Sequence, residues 1–301
     1  MKIVVIDGNF VAHKCRFTDS VLYQGKETGV FHSLLETTLD LGTVFETQNV
    51  NFVFDSKHSY RKRKYSWYKQ RRAQNREKLS EQERFLLSSM YRQIDQSKKF
   101  LEKCGFNVFL QNGVEGDDLI ASLVFFNKNH KIIIASSDQD LYQLLRKNVE
   151  IVTPNQRWIG RSMTSELFEK KFGILPSQWS EFKAINGCHS DEVPNIGKKD
   201  GKVIFKVGEK TTLKYLKGEM NENDKFVKNI SMDFAQENLK RNRWLVKIPF
   251  EKTKPIQVQK SKINFENLTS VFEEYCFNDF LQDRIDEWRR FCENTQNRPE
   301  D

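Results

Sequence analysis

Short apolar runs that stop at an acidic residue punctuate the first half of the chain. Lys2–Ile6 runs into Asp7, Asn51–Phe54 into Asp55, and Lys131–Ala135 passes through Ser136 and Ser137 to Asp138. Runs rich in Val, Ile and Phe with no polar alternation suit strands buried on both faces of a parallel sheet. Phe106–Leu110 and Glu150–Thr153 predict two further strands, and a helical spacing of apolar residues covers Ser80–Cys104 and Asp117–Asn127. Strands alternating with helices predict an α/β fold with a mostly parallel central sheet flanked by helices.

After about residue 165 the helical spacing takes over, at Ser165–Phe172, Trp179–Asn186, Lys199–Val207, Lys225–Trp244 and Asn264–Arg290. The expected division is an α/β part at residues 1–164 and a helical part at 165–301. The closing ENTQNRPED (293–301) is polar and expected to fray.

Composition narrows the partners. The 301 residues carry a formal net charge of +8 and an isoelectric point near 9.1, which favours a polyanionic partner. The charge is unevenly spread: Lys57–Lys78 holds ten Lys and Arg against one acid, Glu77, interleaved with His58, Tyr60, Tyr65, Trp67 and Tyr68. Most charge runs are solvated faces, but rings beside cations suit stacked bases and threaded phosphates. Cysteines 15, 104, 188, 276 and 292 form no CxxC pair, so reduced thiols are expected. MKIVVIDGN meets an acid too early for a secretory leader, and no apolar run reaches a membrane span, so a soluble cytoplasmic protein is expected.

Against that basic background, GVEGDD (113–118) packs Glu115, Asp117 and Asp118 into four residues ahead of an apolar helix. Ligands of open α/β sheets bind beyond the carboxyl ends of the strands. Asp7, Asp55, Asp138 and Asp140 are all predicted at that rim, so seven acids would share it. Helix capping explains one of them. Unneutralised, the others would raise each other's pKa and weaken the fold. Hard divalent cations held by oxygen relieve this, and with no His or Cys in these motifs Mg²⁺ or Mn²⁺ is the expected ion. A glycosidase would need only two carboxylates. An acidic metal rim beside a basic aromatic segment predicts phosphodiester hydrolysis by two metal ions.

The motifs IVVIDGN (3–9), FVFDS (52–56), WYKQRR (67–72), GVEGDDLIA (113–121), ASSDQDLYQLL (135–145) and NGCHSDEVPNIGKKDG (186–201) occur in an order that resembles the flap endonuclease or 5′ nuclease family. The size is similar to phage-type 5′→3′ exonucleases, phage ribonuclease H included. The resemblance implies a PIN-like core with Asp7, Asp55, Glu115 and Asp117 around a first metal. Asp118, Asp138, Asp140 and Asp191 would lie around or beside a second, with Mg²⁺ at both sites and Mn²⁺ as a substitute. It implies that Tyr68 stacks near a substrate base, and that Lys69 and Arg72 steady the scissile phosphate at the base of a helical arch within 57–104. Arg71 would face DNA. Residues 179–207 would form a helix–three-turn–helix gripping duplex phosphates, with K⁺ bound and with Lys198, Lys199 and Lys202 adding contacts. The implied partner is DNA with a 5′ flap or nick, or an RNA–DNA hybrid, met by a monomer during replication alongside replication proteins.

Two departures from the family pattern stand out. Cys188 occupies the place of an acid that usually follows the glycine, and the following loop looks shorter than the common form. The cysteine opens a second reading, a structure-specific DNA-binding protein with weakened catalysis. A PIN-type ribonuclease is a third, but such proteins are much smaller than this chain.

Overall fold

The computed structural model describes residues 1–17, 20–154 and 162–293. Its sheet is built from β1 (Lys2–Asp7), β2 (Val50–Val53), β3 (Asn107–Phe109), β4 (Lys131–Ala135), β5 (Val149–Val152) and β6 (Ser162–Met163). They lie in the order β3-β2-β1-β4-β5-β6. All neighbouring pairs are parallel except β5 with β6. From the central β1 the chain builds outward through β2 and β3, then returns to build β4 and β5 on the other side. That reversal opens a crevice beyond the carboxyl ends of β1 and β4, where such sheets take their ligands.

Both sheet faces are covered by helices, so β1 is apolar on each. Val4 and Ile6 face one core with Phe31, Leu34, Phe52, Met90 and Trp288. Ile3 and Val5 face the other with Leu119, Ile120, Ile134, Phe168 and Trp179. This alternation follows from the two-residue period of a strand. The first face is covered by α1 (Gly8–Phe17), α2 (Gly29–Val44) and the long α5 (Glu81–Lys103), which follows the short α3 (Tyr60–Lys64) and α4 (Gln70–Glu77). A capping box starts α5, with the Ser80 N–H donating to Glu83 and the Glu83 N–H to Ser80 Oγ. The second face receives α6 (Gly116–Phe126), α7 (Ser165–Phe172) and α8 (Trp179–Asn186).

Beyond these come α9 (Glu209–Leu216), α10 (Lys225–Ile230), α11 (Asp233–Val246), α12 (Phe265–Tyr275), α13 (Asn278–Gln282) and α14 (Ile285–Glu293). A third core joins α8, α10 and α11 through Ala184, Ile185, Phe226, Leu239 and Leu245. The last three helices return to the first face, where Phe272, Phe280 and Trp288 are fully buried. Asp279 is their latch, accepting from Tyr23 Oη at 2.6 Å and pairing with His32 Nε2 at 2.7 Å. No helix among the described residues is long and apolar enough to cross a membrane.

The fold class matches the sequence expectation, and several element boundaries do not. The helix expected at Lys199–Val207 is a β-hairpin, β7 (Lys198–Lys199) with β8 (Lys202–Val203). Asp200 and Gly201 both take positive φ, 49° and 76°, as a two-residue hairpin turn requires. The helical pattern then resumes only at Glu209, so the connection from α8 to α9 runs through 187–208. Lys225–Trp244 is two helices, and Asn264–Arg290 is three, the first ended by Cys276 in the left-handed conformation at φ 57°. The tail expected to fray lies outside the described residues from Asn294 onward.

Candidate metal centre and nucleic-acid interface

Four carboxylates gather at the crevice. Asp7 ends β1, and its Oδ1 accepts the Phe10 N–H at 2.9 Å while Oδ2 accepts from Ser136 Oγ at 3.0 Å. The glycine after it is required, because a Cβ at Gly8 would sit 2.3 Å from the Phe54 ring. Asp55 lies just past β2, with Oδ1 accepting the Gly116 N–H at 2.7 Å. Asp117 occupies the first turn of α6. Asp138 lies beyond β4, where its carboxylate accepts the Asp140 N–H at 2.8 Å and its own N–H donates to Ser136 Oγ at 3.2 Å. Ser136 therefore ties Asp7 to Asp138. None of these four acids enters an ion pair among the described residues.

Uncompensated charge at this density shows in the proton affinities. Burial pushes the Asp7 carboxyl up to about 7, with Asp55 adding repulsion. Asp117 is raised well above the carboxylate range by burial, then by Asp138 and Asp7. Asp55 keeps an exposed edge, yet the surrounding walls desolvate its carboxylate and raise it too. Carboxylates near enough to raise one another's proton affinity, and short of positive charge, suit a hard divalent cation.

Glu115 behaves in the opposite way. Burial alone would raise it, but Lys69 and Arg61 hold it down at about 2. Lys69 Nζ lies 2.9 Å from Glu115 Oε2 and 3.7 Å from Asp191 Oδ2, and Ser59 Oγ donates to Glu115 Oε1 at 2.8 Å. Lys69 itself is in the left-handed region, φ 55°, with its N–H donating to the Asp191 carbonyl at 3.1 Å. Arg72 Nη2 reaches Asp191 Oδ1 at 2.7 Å. The base of the basic segment is thus bound to the acid rim before any substrate arrives.

Asp140, Cys188 and Asp191 form a second cluster, with one ligand atom of each within 4.8 Å of the others. Lys183 Nζ is 2.8 Å from Asp140 Oδ1 and 4.0 Å from Cys188 Sγ. Burial raises the Asp140 carboxyl and the neighbouring Asp138 adds to it, while Lys183 opposes both. Burial, then Asp140 and Asp191, push the Cys188 thiol up. His189 does not complete the cluster; its Nε2 lies 3.0 Å from Arg71 Nη1.

Two expected site residues lie elsewhere than the motifs suggested. Asp118 is fully buried beneath the rim, chelated by Arg61 through both guanidinium nitrogens and accepting the Phe250 N–H at 2.8 Å. It braces α6 against α3. The Tyr68 ring is buried in the third core, with its hydroxyl 3.3 Å from both Glu115 Oε2 and Asp191 Oδ2. Its faces are covered by protein, so it positions the two carboxylates and offers no stacking surface. The other interleaved rings are half-buried and pack on neighbours: Tyr65 on Trp67 and Trp244, and Tyr60 on Phe250. The α4 cations stay on the surface, because α4 has no buried residue. Sequence reasoning missed Arg61, Ser136 and Lys183, all of which read as unremarkable until the fold brings them against their acids.

Lys198, Lys199 and Lys202 are exposed on the β7–β8 hairpin. The Asn238 side chain anchors it, donating to the Lys198 carbonyl at 2.7 Å. A groove of about 460 Å³ beside it is lined by Lys198, Lys199, Phe234, Asn238 and Arg241.

Comparison with known proteins agrees with this arrangement. Residues 2–173 match the family model described as 5′-3′ exonuclease, N-terminal resolvase-like domain. The 5′-3′ exonuclease of Buchnera aphidicola subsp. Schizaphis graminum is 28% identical over 234 residues, covering 76% of this chain and 72% of that protein. Among solved structures, the T5 5′-exonuclease with bound divalent (zinc) ions superposes with a TM-score of 0.66 at 20% identity, covering 83% of this chain and 90% of that one. The bacteriophage T5 flap endonuclease in complex with DNA and metal ions gives 0.67 at 18% identity, covering 96% and 100%. Sheet order, rim carboxylates and the family match over more than half of the chain lead to one conclusion: the chain belongs to the 5′-3′ exonuclease family.

Proposed function

We propose that this protein is a Mg²⁺-dependent, structure-specific 5′ nuclease that hydrolyses phosphodiesters of DNA carrying a 5′ flap or nick, and of RNA–DNA hybrids. The observation that carries the reading is the convergence of Asp7, Asp55, Asp117 and Asp138 with no cation among the described residues paired to any of them. Asp7, Asp55, Asp117 and Glu115 would hold a first ion, and Asp138, Asp140 and Asp191 a second. When bound, divalent ions supply Lewis-acid charge and lower the pKa of water, the chemistry in-line hydrolysis at phosphate needs.

The chain's own residues do the rest. Lys69 and Arg72, now paired with Glu115 and Asp191, are free to exchange those partners for the scissile phosphate, where negative charge grows in the transition state. The exposed α4, with Arg71 and Arg76, guides the 5′ strand toward them. Lys198, Lys199 and Lys202 grip the duplex phosphates, with K⁺ as the monovalent ion proposed for the 187–208 segment. In this reading residues 1–164 carry the chemistry together with Asp191, and the helical part beyond supplies the duplex grip.

The test is cleavage of a 5′-labelled flap substrate with Mg²⁺, with EDTA as control. Release of 5′ products only with the metal supports the reading. A gel shift without cutting at any Mg²⁺ or Mn²⁺ concentration would replace it with a binding protein whose catalysis is lost.

A further inference from the structure

We infer that Lys183 supplies from within the fold the positive charge a second divalent ion would bring to Asp140 and Asp191, so that the chain binds one divalent ion tightly and a second only weakly. This rests on the reading above that the rim binds divalent ions. The two acid groups differ in one respect: in the first, Asp7, Asp55 and Asp117 have no cation partner among the described residues and Glu115 is paired with Lys69, whereas in the second both Asp140 and Asp191 have cations of their own and Asp138 alone has none. Asp140 has Lys183 at 2.8 Å, and Asp191 has Arg72 at 2.7 Å with Lys69 at 3.7 Å.

Lys183 is built into this position. It sits on α8, which is locked to the rim by Trp179 Nε1 donating to the Gln139 carbonyl at 2.7 Å. Its ammonium lies 5.8 Å from the centre of the Trp179 ring, and the side chains of Lys183 and Asp140 are only 15% and 16% exposed. A pair this sheltered is little screened by salt. The third member of the cluster is Cys188, and an ordinary thiol is largely protonated and neutral at pH 7. One carboxylate fewer and one ammonium more leave the cluster close to neutral. A divalent ion entering it must displace Lys183 from Asp140, whereas at the first group only Glu115, paired with Lys69, presents such a competition.

Isothermal titration calorimetry of the intact protein with Mn²⁺ reads this directly, without reference to cleavage. The wild type should take up one ion tightly, with any second ion at least tenfold weaker. Lys183→Met should tighten that second event at least tenfold, Lys183→Arg should preserve wild-type behaviour, and Lys183→Met with Cys188→Asp should bring the two events closest. Two equally tight ions in the wild type would overturn the inference by themselves, whether or not any variant folds. An unchanged second event in a folded Lys183→Met protein, checked by circular dichroism, would overturn it too. Absence of any Mn²⁺ uptake by the wild type is a different result, one that removes the metal reading on which the inference stands.

Discussion

Arg61 and Asp118 meet through both guanidinium nitrogens in a pair that is almost wholly buried, with Arg61 at 3% exposure and Asp118 at 0%. We propose that the acid in the middle of the motif acts as a fastener. Asp118→Asn strands the buried guanidinium, and breaking such a pair costs about 3–5 kcal/mol. The expected outcome is a markedly lower urea midpoint, while Mn²⁺ affinity measured on the folded protein changes less than tenfold. A large loss of Mn²⁺ affinity with unchanged stability would return Asp118 to the ligand set.

Asp117→Asn and Asp138→Asn act in the reverse sense. Each removes a charge that its neighbours repel, so the metal-free protein should be no less stable, and more stable for Asp117→Asn. Cleavage should fall below detection while flap DNA is bound as tightly or more tightly, since the hairpin lysines are untouched. Near-normal turnover at saturating Mg²⁺ in either variant would remove that acid from the site.

Asp7 gives a pH dependence. Its folded-state carboxyl lies near 7 against an ordinary value of 3.8, so between those values the folded state holds a proton that the unfolded chain has lost. Metal-free stability therefore falls as pH rises from about 4 to about 7. Divalent binding must expel that proton, so calorimetry at pH 6 in buffers of different ionisation enthalpy should show proton release, shrinking by pH 8. Release that is independent of pH would contradict the raised carboxyl.

Much of this was legible in the chain and some was not, for local physical reasons. The strands leading to Asp7, Asp55 and Asp138 announced themselves because a strand buried on both faces has few polar positions, Asn51 being an exception. The Asp200-Gly201 turn was also visible, but lysines on either side with apolar residues beyond them mimic a helical face, and the hairpin was missed. The roles of Asp118 and Tyr68 were not readable, because their partners arrive from outside their motifs: Arg61 from 57 positions before Asp118, and Asp191 from 123 positions after Tyr68. Lys183, in a run reading FKAIN, carries no mark of its own until α8 docks against Asp140.

Lys69 is the bridge between basic segment and metal rim. Lys69→Ala should lower turnover on flap DNA by about 10²-fold or more, with a far smaller change in substrate affinity. It also releases Glu115, whose carboxyl should rise from about 2 once its largest opposing charge is gone. Lost affinity with unchanged turnover would make Lys69 an ordinary backbone contact.

We propose that the carboxylates at the crevice make this chain a metal-dependent 5′ nuclease. The most direct measurement is single-turnover cleavage of a 5′-labelled flap duplex by wild type and Asp117→Asn across a Mg²⁺ titration, with binding measured in parallel. The account predicts 5′ products that appear with Mg²⁺, vanish with EDTA and are absent for Asp117→Asn, although both proteins bind the duplex. Folded wild-type protein that binds the flap and leaves it intact at every Mg²⁺ and Mn²⁺ concentration would contradict it.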